Sequence, residues 1–229
     1  MTISPTKEYT EAEARRVHLP FAVKEEFFLE EIGVPPRKPV YEFIKRLVDI
    51  VFSVAALTFC ALPMAVIAVC IKLDSPGTVF YKQERLGLNG KPFTIVKFRT
   101  MVMNAEAQGV QWSEGDNDSR NTGIGGFLRK YRLDELPQFW CTLVSSMSLV
   151  GPRPERACYY EAFERYIHGF HQRMKVKPGI TGLAQTTDYA LPPEQKAAYD
   201  LEYIKTRSLW TDIKLLFKTV VVVVTHKSD

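Results

Sequence analysis

Apolar residues fill Ile50 to Ile71 without a single charge in 22 positions. A run of that length meets the criterion for a membrane helix, and as a straight helix it would extend about 33 Å. Pro63 sits in its middle. Proline removes a backbone donor, and its ring collides with the carbonyl four residues earlier, here that of Phe59. The pattern therefore predicts a helix kinked at Pro63. Lys45 and Arg46 precede the run and Lys72 follows it, so the basic flanks assign no direction of crossing. Two topologies fit: a single pass with a tolerated kink, or a hairpin that enters and leaves by one face.

Downstream the period changes. Thr78–Gln83 and Pro92–Met101, joined by Leu86-Gly87-Leu88-Asn89-Gly90, predict a short β-hairpin. Residues 104–123 form a long polar loop of the kind that carries function. Ile124, Phe127, Leu128 and Tyr131 share a helical face, and further helices are predicted over 134–144 and 155–174. On the last of these, Tyr159, Phe163, Tyr166, Ile167 and Phe170 make an aromatic face ringed by basic residues. Such a helix suits a lipid headgroup layer as well as a soluble core. From Leu209 to Val224 a helical stripe is visible, although Val220–Val224 also reads as a strand. Residues 11–28 are weakly helical, and Gly33 to Pro39 reads as a linker. The fold class is α+β, mostly α: a polar tail and linker over 1–39, a membrane segment over 40–73, and a domain over 74–229.

Composition changes this picture only in part. The 229 residues are 46% hydrophobic, ordinary for a folded protein. The net charge of +4 is uneven: residues 1–38 hold 6 Lys/Arg against 7 Asp/Glu, and the remainder 24 against 19. A mildly basic domain beside an apolar segment suits an anionic lipid surface or an anionic substrate. No nucleic-acid-binding motif is present, so nucleic acid is not an expected partner. Cys60, Cys70, Cys141 and Cys158 show no Cys-x-x-Cys spacing, which argues against a disulfide framework or a zinc site. No apolar segment begins near the N-terminus, so no cleavable signal peptide is expected.

The sharpest chemical constellation is Arg129-Lys130-Tyr131-Arg132-Leu133-Asp134-Glu135-Leu136-Pro137-Gln138. Proline is tolerated in a first helical turn, which puts Asp134 at or near an N-cap. Backbone donors and the positive helix end would then favour its ionised form. A fixed carboxylate can attack phosphorus, and Glu135 beside it can hold a divalent cation or move a proton. Plain helix capping produces the same Asp-Glu pair. In Ser148-Leu149-Val150-Gly151-Pro152-Arg153-Pro154, rigid backbone surrounds one arginine, as phosphate recognition requires; a solvated loop is the alternative. Lys97 and Arg99 alternate on the second strand and share a face, as a charged strand edge also would. Val176 to Gln185 is a Gly/Pro-shaped loop ending in a polar side chain, and it names no chemistry by itself.

Taken in order, these motifs resemble a known family. The sequence carries Lys45-Arg46-x-x-Asp49, the proline-broken apolar run, Gly87 to Phe93, Lys97-Phe98-Arg99-Thr100-Met101, Leu133 to Gln138, Ser148 to Pro154, Lys177 to Gln185, and Ser208-Leu209-Trp210-x-Asp212. Over about residues 40–226 it is similar to the bacterial sugar transferases, the monotopic polyprenyl-phosphate phosphoglycosyltransferases. The resemblance implies a re-entrant helix-break-helix and a catalytic domain on the cytoplasmic face of a bacterial membrane. It also implies transfer of a sugar phosphate from a UDP-sugar to polyprenyl phosphate. Asp134 would attack the sugar-bearing phosphate, UMP would leave, and the lipid phosphate would then attack that phosphorus. Glu135, with Asp134, would hold Mg²⁺. Lys97, Arg99, Arg129, Arg153 and Arg173 are expected as phosphate clamps and Gln185 as a substrate contact. Lys45, Arg46, Asp49 and Pro63 would shape the membrane hairpin. Membrane lipids are expected partners, and a homodimer is compatible with exposed aromatic surface. Where many members have Ser-Pro at the break, this chain has Leu62-Pro63. The alternatives are an inactive membrane-tethered scaffold and a lipid-phosphate hydrolase, the second of which lacks a His-based phosphatase set.

Overall fold

The computed structural model describes residues 25–107, 109–111, 118–188 and 191–225. The apolar run becomes two helices, α1 (Pro39–Phe59) and α2 (Ala61–Asp74), bent by 59°. The break lies at Cys60 and not at Pro63. Pro63 occupies the first turn of α2, where a missing donor costs nothing, and its ring displaces the helix before it. Among the described residues no single helix is long and apolar enough to cross a membrane; the bent pair passes that test only together.

Both legs of the pair are fixed to the rest of the chain. Lys45, Arg46 and Asp49 sit on neighbouring turns of α1 and all point inward. Asp49 accepts hydrogen bonds from the Leu149 N–H (2.9 Å) and the Ser148 hydroxyl (3.1 Å). Lys45 is paired with Asp212 at 2.8 Å. Arg46 donates to the carbonyls of Thr142 and Leu143, each at 2.7 Å. On the other leg, Ile67 and Ile71 pack into a core cluster with Phe98 and Leu128. Arg99 closes that end by donating to the carbonyls of Ser75 and Pro76. Beyond these feet Phe52, Val54, Phe59, Leu62, Val66 and Val69 are exposed.

β2 (Phe80–Leu86) and β3 (Pro92–Phe98) form the predicted antiparallel hairpin, in register from Phe80↔Phe98 to Leu86↔Pro92. Asn89 and Gly90 supply the left-handed residues of its turn, at φ 56° and 73°. After the polar loop come α3 (Gly125–Lys130), a 3₁₀ turn (Leu133–Glu135) and α4 (Gln138–Leu143). β4 (Ser148–Val150) pairs in parallel with β6 (Gly179–Thr181).

Residues 155–174 are not one helix. They divide into α5 (Ala157–Glu164), β5 (Ile167–His168) and the start of a 3₁₀ helix (Phe170–Lys175), with Gly169 turning at φ 90°. Tyr159, Phe163, Tyr166, Ile167 and Phe170 make up most of one buried core cluster. The aromatic face therefore packs on protein and is not presented to a headgroup layer. α6 (Leu183–Thr187), α7 (Pro193–Thr206) and α8 (Leu209–Thr225) complete the chain. Val220–Val224 is helical, so its strand reading falls. The outer side of α8 leaves Trp210, Ile213, Phe217, Val220 and Val221 exposed.

At the other end, β1 (Phe27–Phe28) pairs in parallel with β5. The helix expected over 11–28 thus does not include these residues; its earlier part lies outside the described residues. Just before the expected linker, Ile32 is buried and Leu29 packs against two core clusters; within it, the Pro36 carbonyl accepts from Arg207 and Lys38 donates to the Arg207 carbonyl, each at 2.8 Å.

Candidate active site

Arg132 ends α3 in the left-handed region at φ 54° and turns the chain into Leu133–Glu135. That conformation is costly for a residue with a side chain. It aims two adjacent carboxylates inward: Asp134 is 8% and Glu135 9% exposed. Asp134 is not a helix cap. The N-cap of α4 is Pro137, and Asp134 accepts no hydrogen bond among the described residues.

Glu135 Oε1 receives Lys97 Nζ at 2.8 Å and an Arg153 guanidinium nitrogen at 2.9 Å. β3 supplies the first cation and the loop after β4 the second. Burial by itself would raise the Glu135 carboxyl, but Arg153 and Lys97 outweigh it and hold the group well below the usual range. Asp134 is moved the other way. Burial pushes its carboxyl above the ordinary aspartate value; Lys97, then Arg129 and Arg153, oppose this, and Glu135 adds to it. The expectation that helix capping favours the Asp134 anion is thus replaced by a buried carboxylate kept ionisable by three nearby cations. Arg129 itself donates to Asn121 at 3.1 Å.

Arg153 is held by its backbone. Six successive carbonyls are each gripped by a separate donor. Val150 accepts from Lys45 (3.0 Å) and Tyr203 (3.3 Å), and Gly151 from Gln185 (3.5 Å). Pro152 accepts from the Gly179 N–H (2.9 Å), Arg153 from Arg173 (3.0 Å), Pro154 from Arg85 (3.2 Å) and Glu155 from the Leu86 N–H (3.0 Å). The two strands approach so closely that a Cβ on Gly179 would stand 2.1 Å from the Gly151 nitrogen. Only glycine fits there. A charged side chain on so fixed a backbone meets a phosphate with little reorganisation.

The expected site residues thus separate. Lys97, Arg129, Asp134, Glu135 and Arg153 come together. Arg99 does not join them: it is 3% exposed, and its two terminal guanidinium nitrogens donate to the carbonyls of Pro76 and Ser75, just past α2. Arg173 lies behind Arg153, in a buried ion pair with Asp200 at 2.7 Å and with its guanidinium 4.6 Å from the Phe170 ring centroid. Gln185 touches the Gly151 carbonyl and not the carboxylates. Lys45, Arg46 and Asp49 join the membrane segment to this same scaffold. Arg85, Tyr203 and Asp200 escaped sequence reading, because their partners lie 69, 53 and 27 residues away.

Among the described residues no group of three or more His, Cys, Asp or Glu could enclose a metal ion. The pair nevertheless fits Mg²⁺. Asp134 and Glu135 Oε2 are hard oxygens with no hydrogen bond among the described residues. Mg²⁺ typically takes one or two carboxylates and completes its shell with phosphates and water.

The profile of a family described as bacterial sugar transferase matches residues 40–226. An Aeromonas hydrophila protein named UDP-N-acetylgalactosamine-undecaprenyl-phosphate N-acetylgalactosaminephosphotransferase is 43% identical over 199 residues, covering 85% of this chain and 47% of its own. A UDP-glucose:undecaprenyl-phosphate glucose-1-phosphate transferase of Escherichia coli K12 is 41% identical, covering 84% of this chain and 44% of its own. A UDP-galactose-lipid carrier transferase of Erwinia amylovora is 39% identical, over 79% of this chain and 40% of its own. The chain thus spans less than half the length of each of these relatives.

Proposed function

The chain belongs to the bacterial sugar transferase family, and on that premise we propose that it transfers a sugar 1-phosphate from a UDP-sugar to undecaprenyl phosphate. The observation that carries this reading is the Asp134-Glu135 pair set among Lys97, Arg129 and Arg153. A carboxylate oxygen of Asp134 attacks the sugar-bearing phosphorus. The bond from that phosphorus to the bridging oxygen breaks, and UMP leaves with the electron pair. An oxygen of the lipid phosphate then attacks the same phosphorus and releases the Asp134 carboxylate. Lys97 and Arg153 supply positive charge where phosphate oxygens sit, which stabilises charge in transfer. Asp134 and Glu135 would hold Mg²⁺, which when bound neutralises phosphate charge.

The membrane segment is read as re-entrant. Both legs of the bent pair are tied to the same domain, α1 through Lys45 and Asp49 and α2 through Arg99. That supports entry and exit by one face, the cytoplasmic one, where nucleotide sugar is available. Apolar side chains are also exposed at Trp140 of α4, at Val144 just after it, and at Trp210 and Phe217 of α8, as a lipid-facing surface requires.

The names of the relatives differ in their sugar, so the sugar is found by assay. Purified chain is offered UDP-glucose, UDP-galactose and UDP-N-acetylgalactosamine with undecaprenyl phosphate, and UMP release is measured. One of these is expected to yield UMP and lipid-linked sugar phosphate, and Asp134→Ala to lower the rate by at least about 10³-fold. Near-normal transfer by Asp134→Ala removes the nucleophile assignment. Absence of UMP with every sugar favours the scaffold, and release of inorganic phosphate the hydrolase.

A further inference from the structure

Residues 27–38 precede the family-matched region, yet they grip the scaffold behind the site. The Phe27 N–H donates to the Tyr166 carbonyl (2.6 Å) and the Leu29 N–H to the His168 carbonyl (3.0 Å). The strap then crosses the 3₁₀ helix. There Gln172, 3% exposed, uses both ends of its amide. Its Oε1 accepts from the Ile32 N–H at 2.7 Å, and its Nε2 donates to the Glu30 carbonyl at 3.2 Å. Lys175 donates to the Ile32 carbonyl, and Lys205 of α7 pairs with Glu30. Arg207 donates to the Pro36 carbonyl at 2.8 Å.

The two elements so strapped together are the ones that carry Arg173 and Asp200. A 3₁₀ helix has poor internal hydrogen bonds and depends on its surroundings to keep its place. Arg173 follows Gln172 directly, bonds Asp200 and donates to the Arg153 carbonyl. We propose that Gln172, clasped by the strap at Glu30–Ile32, is a positioning residue that sets Arg153 against Glu135 during phosphosugar transfer. The proposal rests on the function given above. It goes beyond the family's shared region, because one half of the clasp lies before residue 40. A displacement of Arg153 by an ångström is enough to lower a rate substantially.

The test is a double-mutant cycle on the full chain in detergent, using Gln172→Met and Arg153→Ala. Gln172→Met is expected to lower kcat for UMP release about tenfold, with KM for the UDP-sugar changed less than about twofold. In the Arg153→Ala background the same substitution is expected to change kcat by less than about twofold. An equal fall in both backgrounds, or no fall in either, overturns the proposal, since a merely structural loss does not depend on Arg153. If Gln172→Met does not fold, Ile32→Ala, which loosens the strap while keeping its N–H, takes its place in the cycle. Hydrogen exchange over residues 149–156 gives a readout free of activity. Faster exchange there in the variant is expected, and unchanged exchange overturns the proposal even if the unaltered chain releases no UMP.

Discussion

Asp134 and Glu135 are neighbours in sequence with opposite electrostatic fates. Two cations bond Glu135 directly, whereas Asp134 feels them at a distance and is buried without a hydrogen bond among the described residues. This division suits a nucleophile beside a permanently charged partner. It also gives a pH test. In the proposed route the raised Asp134 carboxyl loses its proton before attack, so transfer should rise with pH through that group, whereas the Glu135 carboxyl is shifted the opposite way. Lys97 is the cation that opposes the rise most. In Lys97→Met the acid limb of kcat/KM is expected to move to higher pH, and the maximal rate to fall by about 10²-fold. An acid limb that stays in place assigns it to another group. The sequence offers the pair as a candidate for phosphate chemistry, beside arginines, with plain helix capping as the alternative. The state of each is not legible there, because burial and the reach of Lys97 are set by strand β3, 38 residues from Glu135.

Elements rather than side chains decide where Arg99 and Arg173 work. Period-two alternation put Lys97 and Arg99 on one face, but β3 ends at Phe98. One residue past the strand, Arg99 turns to the carbonyls of Ser75 and Pro76, in the chain just beyond α2. Arg99→Met is expected to destabilise the protein by about 2–4 kcal/mol, seen as a thermal midpoint lowered by roughly 5–15 °C. A merely impaired substrate affinity at unchanged stability returns Arg99 to the phosphate site. The β-hairpin, the broken apolar helix and α8 followed from periodicity, because their patterns are local. Residues 155–174 misled because an aromatic stripe has the same spacing on a surface helix as on a helix bent into a core. The turn at Gly169 and the pairing of β5 with β1 depend on a partner about 140 residues away.

At the scale of the molecule, the re-entrant reading requires both termini of the bent pair on one side. Val34, 93% exposed within the strap and shortly before α1, is a suitable reporter. With Cys60 and Cys70 replaced by Ala, Val34→Cys is expected to react with an impermeant maleimide only when the cytoplasmic face is open; labelling from the periplasm rejects a hairpin. The last buried side chains on the two legs, Ser53 and Ile67, each lie seven residues from Cys60. Seven helical residues span about 10 Å, and the 59° bend lowers the depth reached, so on the re-entrant reading the tip would stay within one leaflet of a core about 30 Å thick. A spanning helix must match the bilayer from headgroup to headgroup and bears a strain when thickness changes. An anchor confined to one leaflet has no such length to match. Chains fixed in this way are indifferent to the hydrophobic mismatch that sorts spanning proteins between thin and thick membranes.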